Sequence, residues 1–196
     1  MDALEKIIQD HYVITMKDII FEGHKILRLV AEEVENPITP ELLTLGEQMM
    51  TFLKNSQDPK MAEELELRGG VGLAAPQLNI SKRILAILIP DEEGNVQFEE
   101  IMYNPKIIAH SAQEVCLKSG EGCLSVEREV PGFVSRYKRV TVMYINHDNK
   151  EKTIKLKDHQ AIVLQHELDH LNGVLFFDRI NEKDPWEIKE GMEILD

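Results

Sequence analysis

Apolar positions recur at helical spacing in two stretches of the chain, and shorter apolar runs lie between them. Leu42, Leu45, Met49 and Leu53 follow the three-and-four spacing of one helix face. Thr39-Pro40-Glu41 precedes them: a capping hydroxyl, a proline in the first turn and an acid at the positive end of the dipole. The spacing predicts a helix over about Pro40–Ser56 whose Met and Leu stripe is core rather than ligand surface. Asp58-Pro59 breaks the pattern, and Met61 to Leu67 is expected to form a short second helix. Ala161, Leu164, Leu168 and Leu171 mark the buried face of another helix over about Asp158–Asn172, capped by Asp158 and stopped by Gly173. Its opposite side is polar.

Between these helices, Arg83–Ile89 is a short apolar run bounded by turn signals, as a buried strand requires. Further strands are predicted at Ile101–Tyr103, Lys106–Ala109, Glu114–Leu117, Val140–Ile145 and Thr153–Leu156. His147-Asp148-Asn149-Lys150 reads as the turn of a hairpin, and acid-rich Pro90–Phe98 as an exposed loop. Helices near both ends with several short strands between them give an α+β reading. No repeat, low-complexity tract or linker divides the sequence, so residues 1–196 are expected to form a single domain.

Composition narrows the function classes. A net charge of -13 argues against a general nucleic-acid binder. No stretch approaches the ~20 apolar residues that span a bilayer, and the mixed-charge N-terminus is not a secretory signal. With only Cys116 and Cys123 for a possible bridge, a disulfide scaffold is a poor fit. A cytoplasmic protein with reduced thiols is expected, and its charge suits a monomer.

The chemistry concentrates in Gln165-His166-Glu167-Leu168-Asp169-His170. Residues four apart share a helix face, so His166 and His170 can hold one metal ion. Glu167 projects beside them, where it can take a proton from metal-held water. Such a site needs a further protein ligand and an open position. Cys123, in Glu121-Gly122-Cys123-Leu124-Ser125, is a candidate thiolate, whereas Cys116 is read as a core residue. The other five histidines (His11, His24, His110, His147 and His159) are read as satisfied core residues. Arg136 and Arg139 could pair with acids near the site, with surface placement the default reading. Asp169 and Glu121 either orient a ligand or serve structure. Gly69-Gly70-Val71-Gly72 lacks the Lys-Ser/Thr of a phosphate-binding loop and suits close approach of a ligand backbone.

Gly70-Val71-Gly72-Leu73-Ala74-Ala75-Pro76-Gln77, Glu121-Gly122-Cys123-Leu124-Ser125 and Gln165-His166-Glu167-Leu168-Asp169-His170 resemble, in order, the three signature motifs of the peptide deformylases. The resemblance runs from about Asp18 to Asn181. The long segment at Asp91–Glu100 and the insertion near Asp58–Leu67 resemble the type 2 subclass of Gram-positive bacteria. It implies a single α+β domain of short, mainly antiparallel strands around a central metal-binding helix, with an N-terminal extension and an acidic C-terminal tail.

It further implies that Cys123, His166 and His170 bind Fe²⁺, replaceable by Zn²⁺, Ni²⁺ or Co²⁺. Glu167 would serve as general base and acid in removing the formyl group from formyl-methionine of nascent polypeptides. The Gln77 amide and the Leu124 N–H would donate to the developing oxyanion. Val71, Gly72 and a strand near Gly122 would hold the substrate backbone, and Val163 would wall the methionine pocket. The resemblance also implies encounter with nascent chains near the ribosomal exit. The segment Asp184–Asp196, with five acids and one lysine, does not favour docking on RNA by charge. The nearest rival is an HExxH metallopeptidase, which leaves Cys123 without a role; a closed structural metal module would need a fourth protein ligand.

Overall fold

The computed structural model describes residues 1–196. In chain order it contains α1 (Ala3–Ile7), α2 (Pro40–Gln57), α3 (Pro59–Glu64), β1 (Gly72–Ala74), β2 (Ile84–Pro90), β3 (Val96–His110), β4 (Glu114–Leu117), β5 (Arg136–Tyr137), β6 (Arg139–Ile145), β7 (Glu151–Lys157), α4 (Asp158–Leu171) and β8 (Glu193–Leu195). Five strands form an antiparallel sheet in the order β1-β2-β3-β6-β7, and a small sheet has the order β5-β4-β8. Only the β4–β8 pairing is parallel. The α+β architecture of mainly antiparallel strands is as expected. No helix is long and apolar enough to cross a membrane.

The uniform apolarity of Ile84–Ile89 follows from where β2 lies. Successive strand side chains point to opposite faces. Ile84, Ala86 and Leu88 join the core built on α2 by Leu45, Met49, Phe52 and Leu53. Leu85, Ile87 and Ile89 join the core built on α4 by Ala161, Leu164, Leu168 and Leu171. The main sheet is therefore covered on both faces, and each buried Leu, Ile, Met or Phe among these contributes about 1.5–3 kcal/mol.

Several boundaries differ from expectation. The two strands foreseen on either side of Asn104-Pro105 are one long strand, β3, with irregular pairing between Tyr103 and Lys106. A bulge of this kind lets a proline sit within a sheet. Asn104 there adopts φ 50° and its side chain exchanges two 2.7 Å hydrogen bonds with the Val34 backbone. The exposed loop shrinks to residues 91–95, where Asp91 accepts bonds from the Glu93 and Asn95 N–H groups. The short helix starts earlier, at Pro59, because Asp58 accepts the Met61 N–H at 2.9 Å.

Neither Thr39 nor Asp158 caps its helix through a side-chain bond. Asp158 instead sits at φ 53° and pairs with Lys138 at 3.2 Å. Gly173, with φ 72°, does follow the helix end. The five histidines assigned to the core are not in it: His11, His24, His110 and His159 are exposed and His147 is half-buried.

Candidate metal centre and its groove

Packing of Leu164, Leu168 and Leu171 into the main sheet sets the rotation of α4. It turns His166 and His170 toward the irregular segment that follows β4. Cys123 enters from that segment at a tight turn closed by Val126 N–H to Cys123 O, 3.2 Å. Its Sγ lies 3.3 Å from Nε2 of His170, and one ligand atom from each of Cys123, His166 and His170 lies within 4.8 Å of the others. The polar side of α4 is thus largely buried: Gln165, Glu167, Asp169 and His170 are all buried. A thiolate and two imidazoles within reach of one point suit a borderline divalent ion and leave one tetrahedral position for water or substrate. Cys123, His166 and His170 can hold a metal.

An ionic chain fixes the first of these ligands. His166 Nδ1 lies 2.8 Å from Oε1 of Glu121, which leaves Nε2 to face the site. Glu121 accepts two bonds from Arg136, at 2.9 and 2.8 Å. The third arm of Arg136 reaches Asp169 at 2.7 Å, and Asp169 takes a bidentate pair from Arg179 at 2.6 and 2.7 Å. Arg136 is 2% exposed, so the surface default is corrected for it and the alternative pairing with nearby acids holds, whereas Arg139 is exposed. Burial alone would raise the Glu121 pKa, but Arg136 and His166 outweigh it and hold the group at about 2. Burial likewise opposes charge on His166, yet neighbouring Cys123 and Glu121 raise its pKa well above the ordinary value. His170 moves the other way, lowered by burial and by the charge of His166. Its Nδ1 has no hydrogen-bond partner.

Glu167 is 4% exposed, and its Oε2 also lacks a partner. Burial pushes its pKa up to about 7. Space for this carboxylate comes from Gly72, where a Cβ would meet Glu167 Oε1 at 2.5 Å. Gln77 is held by its own loop: Ala74 N–H donates to Oε1 at 2.9 Å, which aims Nε2 at Ser125 Oγ (3.1 Å) and Cys123 Sγ (3.6 Å). Leu124 is buried, and its N–H makes no hydrogen bond within the protein.

A groove of about 630 Å³ runs from this centre, lined among others by Val71, Gly72, Gly122, Leu124, Val163 and Glu167. β1 is an edge strand, so one side of Gly72–Ala74 carries no strand partner. Gly122 lies in irregular chain rather than beside a strand as foreseen, and a Cβ there would meet nothing within 4 Å. The residues expected at the site do converge here, together with Ile162 and His159, which the sequence did not assign to it, and with supports outside the motifs. Arg68 donates to the carbonyls of Leu124 and Cys123 at 3.3 Å, and Gln57 donates to Gly70 O and Leu88 O at 2.8 Å. Neither belongs to a motif; only the fold brings them to the groove.

The polypeptide deformylase family model matches residues 16–186. A peptide deformylase of Streptococcus gordonii is 58% identical over the whole of both chains, and one of Streptococcus pneumoniae is 56% identical, again over the whole of both. Among solved structures, a probable peptide deformylase from Synechococcus phage S-SSM7 superposes with a TM-score of 0.68 at 38% identity, covering 83% of this chain and 98% of its own. A Met-Ala-Ser-bound class I type b peptide deformylase from Acinetobacter baumannii gives 0.68 at 31% identity, covering 86% and 99%. The streptococcal relatives agree with the Gram-positive type indicated by the longer segments. With the family model spanning most of its length, and with the Cys-His-His centre beside a buried glutamate, the chain belongs to the polypeptide deformylase family.

Proposed function

We propose that the protein hydrolyses the N-terminal formyl amide of formyl-methionyl nascent peptides, giving formate and a free amine. The observation that carries this reading is convergence: three metal-ligand side chains, a buried carboxylate and two hydrogen-bond donors meet at the inner end of a groove bordered by an unpaired strand edge. Cys123, His166 and His170 would hold the ion, with Fe²⁺ resident and Zn²⁺, Ni²⁺ or Co²⁺ able to replace it. When bound, the ion supplies Lewis acidity that lowers the pKa of water and polarises a carbonyl.

Glu167 is the proton carrier. With a pKa near 7 it can accept a proton from water and return it to the leaving amine nitrogen at neutral pH. The Gln77 Nε2, whose second hydrogen points to Cys123 Sγ beside the one shared with Ser125, and the free Leu124 N–H would donate to the formyl oxygen as charge develops there. The substrate backbone would add to the open edge at Val71 and Gly72, as in strand addition, with Gly122 opposite. Val163, one turn before His166, and Ile162 would wall the methionine side chain. A relative from Acinetobacter baumannii was solved with Met-Ala-Ser bound, a peptide of the product class.

Residues 1–196 would act as one catalytic domain, monomeric and cytoplasmic, on chains emerging from the ribosome. A net charge of -13 supports encounter through the peptide rather than through nucleic acid or a membrane. The deciding experiment is formate release from formyl-Met-Ala by anaerobically purified, Fe²⁺-loaded enzyme beside its Glu167→Gln variant. Formate is expected from the wild type, with a loss of ~10²–10⁴-fold in the variant at equal metal content. Absence of formate from loaded wild type would overturn the assignment.

A further inference from the structure

The flank of α4 turned away from the groove borders a second cavity of about 560 Å³, lined there by Gln165, Leu168, Asp169 and Asn172. Its walls carry Arg83, Lys106, Arg136, Arg179 and Lys189, five of the 22 lysines and arginines in a chain of net charge -13. Three acids also face it, but each is already engaged. Asp169 is bound by Arg136 and Arg179, Asp178 by Arg28 and Glu114 by Lys189.

Arg83 and Lys106 make no ion pair. Arg83 spends one arm on the Leu171 carbonyl at 2.9 Å, which leaves its Nε and Nη2 without protein acceptors. Burial depresses the Arg83 pKa, and the charge of Glu33 only partly opposes this. Arg179 keeps Nη1 free after binding Asp169 through its other two nitrogens. Concave, polar and with unspent planar donors, the cavity has the chemistry that recognises oxyanions.

We propose that this cavity is a binding site for a phosphate-class oxyanion, free phosphate or a phosphate monoester, held by Arg83 and Lys106 with Arg179 as a third donor. Its volume exceeds that of bare phosphate, so a monoester fits as well. Binding to the native state alone also stabilises the protein.

The test is calorimetric titration of the metal-loaded enzyme with inorganic phosphate and, separately, with phosphoserine, against sodium chloride at matched ionic strength. Saturable heat with at least one phosphate compound is expected, weakened about tenfold or more in Arg83→Gln and in Lys106→Gln; the tighter ligand identifies the source. Because Arg83 also supports the end of α4, Lys106→Gln carries the test if Arg83→Gln folds poorly, and it should leave formate release unchanged. No saturable heat up to about 10 mM would overturn the proposal. So would heat undiminished in both variants, which would place the anion at the metal instead.

Discussion

Glu167 is held where an ionised carboxylate is costly, with one oxygen buried and unpartnered. That cost raises its pKa to about 7, which suits the proposed role of proton carrier at neutral pH. Its position depends on a missing side chain. Gly72 backs directly onto the carboxylate, and a methyl there would lie 2.5 Å from Oε1 and 2.7 Å from Cγ. Gly72 has no left-handed backbone to satisfy, so contact alone requires the glycine. Gly72→Ala should therefore push Glu167 off its line while leaving Cys123, His166 and His170 in place. A displacement of about 1 Å costs ~10²-fold in rate, so kcat should fall by about that much with metal content unchanged. Wild-type kcat in a fully loaded Gly72→Ala protein would show that the carboxylate position is not critical.

One ionic chain joins four elements: α4 through His166 and Asp169, the segment before Cys123 through Glu121, β5 through Arg136, and the 3₁₀ turn Phe176–Arg179 through Arg179. Removing Arg136 leaves buried Glu121 with His166 alone and Asp169 with Arg179 alone. Arg136→Ala should cost about 3–5 kcal/mol in denaturant unfolding and weaken metal binding ~10–100-fold, since Glu121 would no longer be fixed against His166. At the other end of the chain, Asp18 ties α1 to the main core by accepting from Lys6 and the Tyr12 hydroxyl at 2.6 Å and from Thr15 N–H at 2.9 Å. Burial raises its pKa, but these donors, Lys6 foremost, outweigh it and hold the group below the ordinary range. A depressed folded pKa gives stability that is complete above the unfolded value of about 3.9 and is lost as pH falls through the folded one. Asp18→Asn should cost about 1–2 kcal/mol at pH 7 and flatten the decline in Tm below pH 4; an unchanged acid limb would mean other carboxylates control it. These elements also show what a sequence reveals. α2, β4 and the body of α4 were legible because their signals are local: periodicity, proline and flanking turns. Arg136 was legible only as a cation able to pair with acids near the site, because its partners lie 15 and 33 residues away and only the fold makes it the centre of a buried network. β3 was hidden by Pro105, which the bulge accommodates.

At the scale of the molecule, two cores share one sheet, and the site forms where the α4 core meets the small cluster of Cys123, Val126, Val134 and Phe176. The ligand motifs were readable in the sequence, but the seam between these clusters was not, because it depends on how α4 packs on the main sheet while facing the chain between β4 and β5. That seam gives the ion a structural consequence. Two of the proposed ligands lie on α4 and the third on the irregular segment that follows β4, so a metal held by them would cross-link parts joined otherwise by packing and by the Glu121 chain. An ion that binds only the folded state adds RT ln(1 + [M]/Kd), about 2.7 kcal/mol when free metal is 100-fold above Kd. For a domain of this size each kcal/mol moves Tm by about 2–4 °C, so chelation should lower Tm by about 5–11 °C. Scanning calorimetry on loaded, chelated and reloaded protein measures this directly. Cys123→Ser should give a Tm far less responsive to metal while keeping the secondary structure. If wild-type Tm were the same at every metal concentration, the ion would not bridge the two parts, and packing with the Glu121–Arg136–Asp169 chain would hold the seam closed without it.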